Sequence, residues 1–260
     1  MDWLWKAARS RARSARSVSR RYTDAVVQTQ DALERLRDYP RYLAARRDYE
    51  ALLGRRLDRR DDIPQLGDWT STSPFDPHYT YQDAWAARLI FAARPNRHVD
   101  VGSRISFVLG LTPFVATTFI DVRPLDVKVE NLESLAGTIT DLPFDDASVD
   151  SISSLHVAEH IGLGRYGDPL DPCGTVKAAR ELARVVALRG ALYFSLPVGR
   201  PRTAFNSHRV HDPREVPSLF PGLTLRSFAA VFDDGTYSET AAPDDLAAAN
   251  YACGLYRFVR

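Results

Sequence analysis

Between residues 97 and 198 short apolar runs alternate with helical stretches, and several of the runs end in polar side chains. The runs are Arg97–Ser103 (RHVDVGS), Ala116–Asp121 (ATTFID), Val149–Leu155 (VDSISSL) and Ala191–Pro197 (ALYFSLP). Ile105–Leu111 can start a helix, and Thr175–Val186 places Ala178, Leu182, Val185 and Val186 on one helical face, with Gly190 as its stop. Strands joined through helices make a parallel sheet covered on both faces, so the pattern predicts an α/β fold. Ligands of such sheets bind beyond the carboxyl ends of the strands. That rule points to Asp100, Asp121, Asp141, His156 and the segment after Pro197. Leu223–Phe232 and Tyr251–Val259 read as a closing antiparallel pair, separated by the acidic stretch 233–245.

Charge is unevenly placed. Residues 1–60 carry 16 basic and 8 acidic side chains, whereas residues 61–260 carry 18 and 25, so the near-zero total hides a basic front and an acidic body. Lys6, Arg9, Arg11, Arg13, Arg16, Arg20 and Arg21 follow Trp3, Leu4 and Trp5. An aromatic tip before a basic run could rest on an anionic membrane face or an acidic partner, but a charge run of this kind reads first as a solvated, partly disordered arm. Val26, Val27, Leu33 and Leu36, then Tyr42, Leu43, Tyr49, Leu52, Leu53 and Leu57, recur at helical spacing on either side of Pro40. The spacing predicts two helices, or one kinked at the proline, packed across the main domain. The boundaries that follow are a basic arm with helices over 1–60, a linker over 61–80 containing Pro64, Gly67, Pro74 and Pro77, and an α/β domain over 81–260. A chain so near neutrality is not a general nucleic-acid binder. Cys173 and Cys253 form neither a disulfide framework nor a metal spacing, which predicts a reducing, cytoplasmic setting. The apolar run 107–120 is too short to span a bilayer, and no signal-peptide core is expected at the start.

Asp121 stands 21 residues after Asp100, at the tip of the next strand, where a carboxylate can bond both ribose hydroxyls of a nucleoside cofactor. The turn DVGSRIS offers one glycine where pyrophosphate-binding turns use three, which fits a cofactor without phosphate such as S-adenosylmethionine. The block GTITDLPFDDASVD, residues 137–150, and the helix–strand stretch ELARVVALRGALYFSLPVG resemble the class I S-adenosylmethionine-dependent methyltransferases. The resemblance spans about residues 95–260 and implies a Rossmann-like sheet, mostly parallel with its last strand antiparallel. It implies that Asp100, Gly102 and Ser103 flank the methionine part, that Asp121 binds the ribose, and that Asp141 and the Leu142 backbone bind adenine. SLHVAEHIGLGRYGDPLDPCG with FNSHRV further resembles a bacterial family of unknown function that has this fold and is associated with glycans.

His156, Glu159 and His160 spell HVAEH. On a helix the two histidines share one face and can bind zinc with Glu159 as general base, given a distant third ligand such as Glu239. Gly162 and Gly164 cut such a helix short, and only the methyltransferase reading explains both flanks. In that reading His156 sits beside the reacting centre, as proton acceptor or as a hydrogen-bonded structural group, with His208 as second proton acceptor. His160, Arg165, Tyr166, Asp168, Asn206 and Arg209 are the expected acceptor contacts, and Asp171, Arg200, Arg202 and His211 lie in the same loops. Guanidinium forks suit a phosphorylated or nucleotide-linked sugar. The expectation is methyl transfer from S-adenosylmethionine to oxygen or nitrogen of a small polar acceptor, a saccharide or nucleotide-linked sugar. The alternative from a different class is an inactive binding or scaffold protein in surface-polysaccharide assembly.

Overall fold

The computed structural model describes residues 37–260. The basic arm through Arg21 and the positions Val26, Val27, Leu33 and Leu36 lie outside the described residues. The chain divides into two compact units, Met1–Pro74 and Phe75–Arg260.

In the first unit, helix α1 covers residues 37–53 and runs straight through Pro40. The proline ring has a helix-compatible φ and gives up only the amide that would reach back four residues, so it does not break the helix here. Leu43, Tyr49, Leu52 and Leu53 are exposed rather than buried as their spacing suggested. Polar contacts organise this unit instead. The Arg46 guanidinium gathers Glu50 at 2.7 Å, Asp62 at 2.8 Å and the Leu57 carbonyl at 3.0 Å.

The second unit is built on an eight-stranded sheet. Its strands are β1 (Arg97–Val101), β2 (Ala116–Asp121), β3 (Leu132–Ala136), β4 (Val149–Leu155), β5 (Val186–Val198), β8 (Thr224–Val231), β9 (Tyr237–Ser238) and β10 (Ala252–Val259). A separate hairpin pairs β6 (Arg202–Ala204) with β7 (His208–Val210). The sheet order is β3-β2-β1-β4-β5-β10-β8-β9. Strands β1 to β5 pair in parallel, and β10 is antiparallel to both of its neighbours. Edge strand β3 is half exposed, and its mixed sequence LESLA gives no clear two-residue period, which is why it is illegible from the chain alone.

Helices cover both faces. Helix α2 (Pro77–Ala93) starts inside the segment whose composition reads as linker. Asp76 caps it by accepting from the Tyr79 amide at 3.2 Å, and Pro77 occupies its first turn, a start signal that prolines in a polar stretch disguise. With α3 (Ile105–Leu111) it buries Trp85, Ala86, Ile90, Phe107, Val108 and Leu111 against one face of the sheet. Helix α4 (Gly174–Val185) buries Ala178, Ala179, Leu182 and Ala183 against the other. It stops at Val185 and not at Gly190. Gly190 lies within β5, at a register shift against β4 where a Cβ would come within 2.8 Å of the Ala187 carbonyl and 3.0 Å of that of Val149. Among the described residues no helix is long and apolar enough to cross a membrane.

Leu182 is fully buried at the centre of the α4 face. Leu182→Ala is expected to lower unfolding stability by about 2–5 kcal/mol, read by urea denaturation. A loss well under 1 kcal/mol would mean that α4 does not seal this side of the sheet.

Candidate active site

The first turn of the sheet rests on a buried polar chain. Asp100, fully buried in β1, accepts from the Ser103 amide at 3.0 Å, from the Ser103 hydroxyl at 2.7 Å and from the Ser153 hydroxyl. The His98 ring, also fully buried, bridges Ser151 and Ser153 at 2.8 Å each. Because the Ser153 hydroxyl donates to Asp100, it accepts from His98 Nε2, and Nδ1 accepts from Ser151. Burial pushes the Asp100 carboxyl up to about 7, against the hydrogen bonds from Ser153 and Ser103, and pushes the His98 imidazole down to about 3. Asp100 therefore holds the turn from beneath and presents no oxygen to a ligand, a correction to the role its position implied.

Above that turn, Gly102 adopts φ +72° and donates to the Ile120 carbonyl at 2.9 Å. A Cβ there would sit 2.9 Å from Val157 Cγ1 and 3.8 Å from Asp121 Oδ2. The Asp121 Oδ1 atom accepts from the Arg123 amide at 2.8 Å, so Oδ2 is the oxygen turned towards the glycine. The cleft between them is narrow, about 100 Å³, and includes Thr138, Ile139, Val157, Ile161 and Tyr166 among its walls. A wider cleft of about 450 Å³ shares Gly102, His156, His160 and Tyr166 with it and adds Tyr79, Arg104, Arg165, Ser207 and His208. Arg123 and Arg165 lie over the Tyr166 ring at 4.8 and 5.1 Å, and Arg104 lies over Tyr79 at 5.0 Å, so the rim is cationic.

His156 closes the end of β4 in a left-handed conformation, φ +56°. Its amide donates to the Ser195 carbonyl at 3.0 Å and to the Ser195 hydroxyl at 3.2 Å, and that hydroxyl donates to Gln82 of α2 at 2.6 Å. The side chain is 4% exposed, and its Nδ1 meets Glu159 Oε1 at 2.8 Å. Burial works to push this imidazole down, but Cys253 and the Glu159 carboxylate outweigh it and hold the group well above its ordinary value. A ring so buried and so engaged is a poor proton acceptor for a substrate. His78, from the first turn of α2, stacks on it at 5.4 Å and is pushed down to about 4 by burial and by the charge on His156. The Nδ1 of His160 donates to the Ser207 carbonyl at 2.6 Å, and Ser207 Oγ lies 2.9 Å from His208 Nδ1.

The turn after β4 is a single 3-10 turn, Ala158–His160, so His156 and His160 do not stand one α-helical turn apart. Glu239 is bonded to Arg88 and Tyr237. The zinc set of His156, Glu159, His160 and Glu239 is not assembled. Other expected contacts are spent elsewhere. Asp141 is exposed and lines neither cleft, while the Leu142 amide donates to Glu181 Oε1 at 2.7 Å and its carbonyl accepts from Arg184. Thr138 and Ile139, directly after β3, occupy the cleft instead, and recognising β3 would have found them by the strand-end rule. The Asp168 carboxylate accepts from the amides of Gly162 and Tyr166, which shapes its own loop. Arg209 is buried, with its guanidinium on the carbonyls of Ile161 at 2.5 Å and Asp171 at 2.9 Å, so it ties the β6–β7 hairpin to that loop. Asn206 is exposed in the turn between β6 and β7. Gly102, Ser103, Asp121, His156, His160, Arg165, Tyr166 and His208 do come together around the two clefts.

The N-methyltransferase NodS from Bradyrhizobium japonicum, in complex with S-adenosyl-L-homocysteine, superposes with a TM-score of 0.51 at 18% identity, over 71% of this chain and 88% of that one. A second structure of NodS gives 0.50 at 18% identity, over 71% and 97%. The fold is that of the class I S-adenosylmethionine-dependent methyltransferases. A family model described as "Caenorhabditis protein of unknown function, DUF268" matches residues 142–246, the stretch from the acidic block through the β6–β7 hairpin to the end of the acidic insertion. No curated protein matches.

The buried chain beneath Gly102 carries a pH signature. A carboxyl raised in the folded state contributes stability that is lost as pH climbs from about 4 to about 7, whereas an imidazole lowered in the folded state costs stability as pH falls from about 6.5 to about 3. Asp100→Asn removes the first effect and keeps the second. Its stability should therefore rise more steeply than wild type between about pH 4 and 6.5, by up to about 1.4 kcal/mol per pH unit. Parallel profiles in urea denaturation across that range would disprove the assignment.

Proposed function

We propose that this chain is an S-adenosylmethionine-dependent methyltransferase whose acceptor is a small polar molecule, a saccharide or nucleotide-linked sugar. One observation carries the reading: Asp121 Oδ2 and the side-chain-free face of Gly102, from adjacent strand tips, look at each other across a cleft. The residues fit the cofactor on that ground. Asp121 would accept from the ribose hydroxyls, Gly102 would leave the approach clear, and Thr138 and Ile139 would line the base end. When bound, the cofactor supplies a methyl group made electrophilic by its sulfonium. Tyr166 walls the narrow cleft and is 42% exposed, so an adenosine larger than this space would enter by turning that side chain outward.

The wider cleft belongs to the acceptor. Arg104 and Arg165 offer guanidinium forks to a phosphate or acidic sugar. His208, placed by the β6–β7 hairpin and oriented through Ser207, takes the proton of the acceptor hydroxyl or amine. His160, tied to the Ser207 carbonyl, holds that hairpin against the cleft. The rate comes from alignment of acceptor and methyl group more than from acid–base chemistry. The narrowness of the space beside Asp121 favours one other reading, a protein that keeps this architecture for binding or scaffolding in surface-glycan assembly without the reaction.

Calorimetry with S-adenosylmethionine and S-adenosylhomocysteine separates the two. The methyltransferase reading expects both to bind and expects Asp121→Ala to weaken them about 10- to 100-fold, the loss of charge-assisted hydrogen bonds to the ribose. Neither heat nor a thermal shift at millimolar ligand leaves the scaffold reading. His208→Ala should leave cofactor affinity intact and reduce turnover about 100-fold or more once an acceptor is found. An unchanged turnover number removes His208 from the chemistry.

A further inference from the structure

On the far side of His156 from the narrow cleft lies a cluster that methyl transfer does not use. His78 from the first turn of α2, His156 from the end of β4 and Cys253 from the start of β10 bring one ring nitrogen each and a sulfur to within 4.8 Å of one another. Among the described residues no acidic side chain completes the trio, and the three residues come from distant parts of the chain, so no sequence spacing announces it.

The chemistry of the three groups is that of a metal site. Nδ1 of His156 is engaged by Glu159, which leaves Nε2 as the atom available to the cluster. Nε2 is buried, and the group that engages it is the Cys253 side chain. A buried imidazole whose other nitrogen donates to a buried carboxylate is how proteins orient a histidine ligand and raise its basicity. Glu159 is 1% exposed and fills that position. Cys253 is a free, fully buried thiol that lies 3.9 Å from the Gly254 carbonyl and interacts with the His156 ring. Packing explains a buried cysteine, but it does not explain two imidazoles converging on its sulfur from separate elements. His78 is half-buried and stacked between His156 and Tyr251, at 5.4 and 5.2 Å, which fixes its ring at the mouth of the cluster.

We propose that His78, His156 and Cys253 bind a zinc ion, with Glu159 as the carboxylate that orients His156. Two imidazoles and a thiolate suit zinc and exclude the hard cations magnesium and calcium, which need oxygen ligands. Coordination displaces the thiol proton of Cys253 and any proton on His156 Nε2, and both leave to solvent. Three protein ligands leave a fourth position open, as in catalytic rather than structural zinc sites. His78 and His156 also line a cleft of about 500 Å³ with Asp76, Tyr79, Asp233 and Tyr251, so the open position faces space that water or an oxygen-bearing ligand can enter. The ion would also join α2 to the sheet edge at β4 and β10.

The test uses the full chain, purified without an affinity tag or chelator. Stoichiometric zinc is expected after dialysis. After zinc removal, added Co(II) should give tetrahedral d–d bands and a thiolate-to-cobalt charge-transfer band. Cys253→Ser should abolish the charge-transfer band, and Glu159→Gln should weaken zinc binding about 10- to 100-fold. Cys253 is in the core, so should its variant fail to fold, His78→Ala, at the half-buried mouth, decides; it should also weaken zinc at least about 10-fold. No retained zinc together with no cobalt spectrum overturns the site. So does metal that binds without a thiolate band, or that His78→Ala leaves untouched. These readouts need no methyl donor, so the zinc site and the methyltransferase reading stand or fall separately.

Discussion

A carboxylate with no path to water sets the geometry of this protein. Asp100 lies beneath the turn after β1 and must satisfy its oxygens from within, and it does so with Ser103 of the turn and Ser153 of the next strand. An unmet buried carboxylate costs far more than the hydrogen bonds return, so the turn is drawn tight over it. Tightness brings Gly102 into a left-handed conformation against Val157 and points the space it leaves at Asp121. The narrow cleft is therefore a consequence of burying Asp100.

A second constraint acts at the end of β4. The His156 backbone turns left-handed and is held there by Ser195 of β5, which Gln82 holds in turn from α2. The same helix delivers His78 and Tyr79. Strand, neighbouring strand and helix thus meet on one residue, and the clefts on either side of it share that wall. The narrow cleft presents a carboxylate and a glycine, and the cleft of about 500 Å³ presents the rings of His78 and His156.

Much of this architecture is legible along the chain. β1, β2 and β4 are readable because burial on both faces forces near-continuous apolar runs, and Asp121 is readable because a strand tip is where a polar residue faces a ligand. The acidic block at 137–150 implies contacts at Asp141 and Leu142, whereas Thr138 and Ile139 are the residues of that block that wall the narrow cleft. That slip traces to β3, whose half-exposed residues carry no period to mark where the strand stops. Asp168 and Arg209 mislead for another reason. A charged residue in a glycine-rich loop is as useful for satisfying backbone amides and carbonyls as for binding a substrate, and here backbone takes both.

The order of apolar runs, turn residues and strand-end acids determined the layered α/β sheet and the side of it on which a ligand would sit. These are local consequences of side-chain period and of proline and glycine geometry, which any stretch of chain carries in itself. Which polar groups remain available was decided only in three dimensions, because each hydrogen bond that occupies Leu142, Asp168 or Arg209 comes from a partner the sequence does not pair with it. The meeting of His78, His156 and Cys253 belongs to the same category: three positions far apart along the chain become neighbours only when the start of α2, the end of β4 and the start of β10 come together.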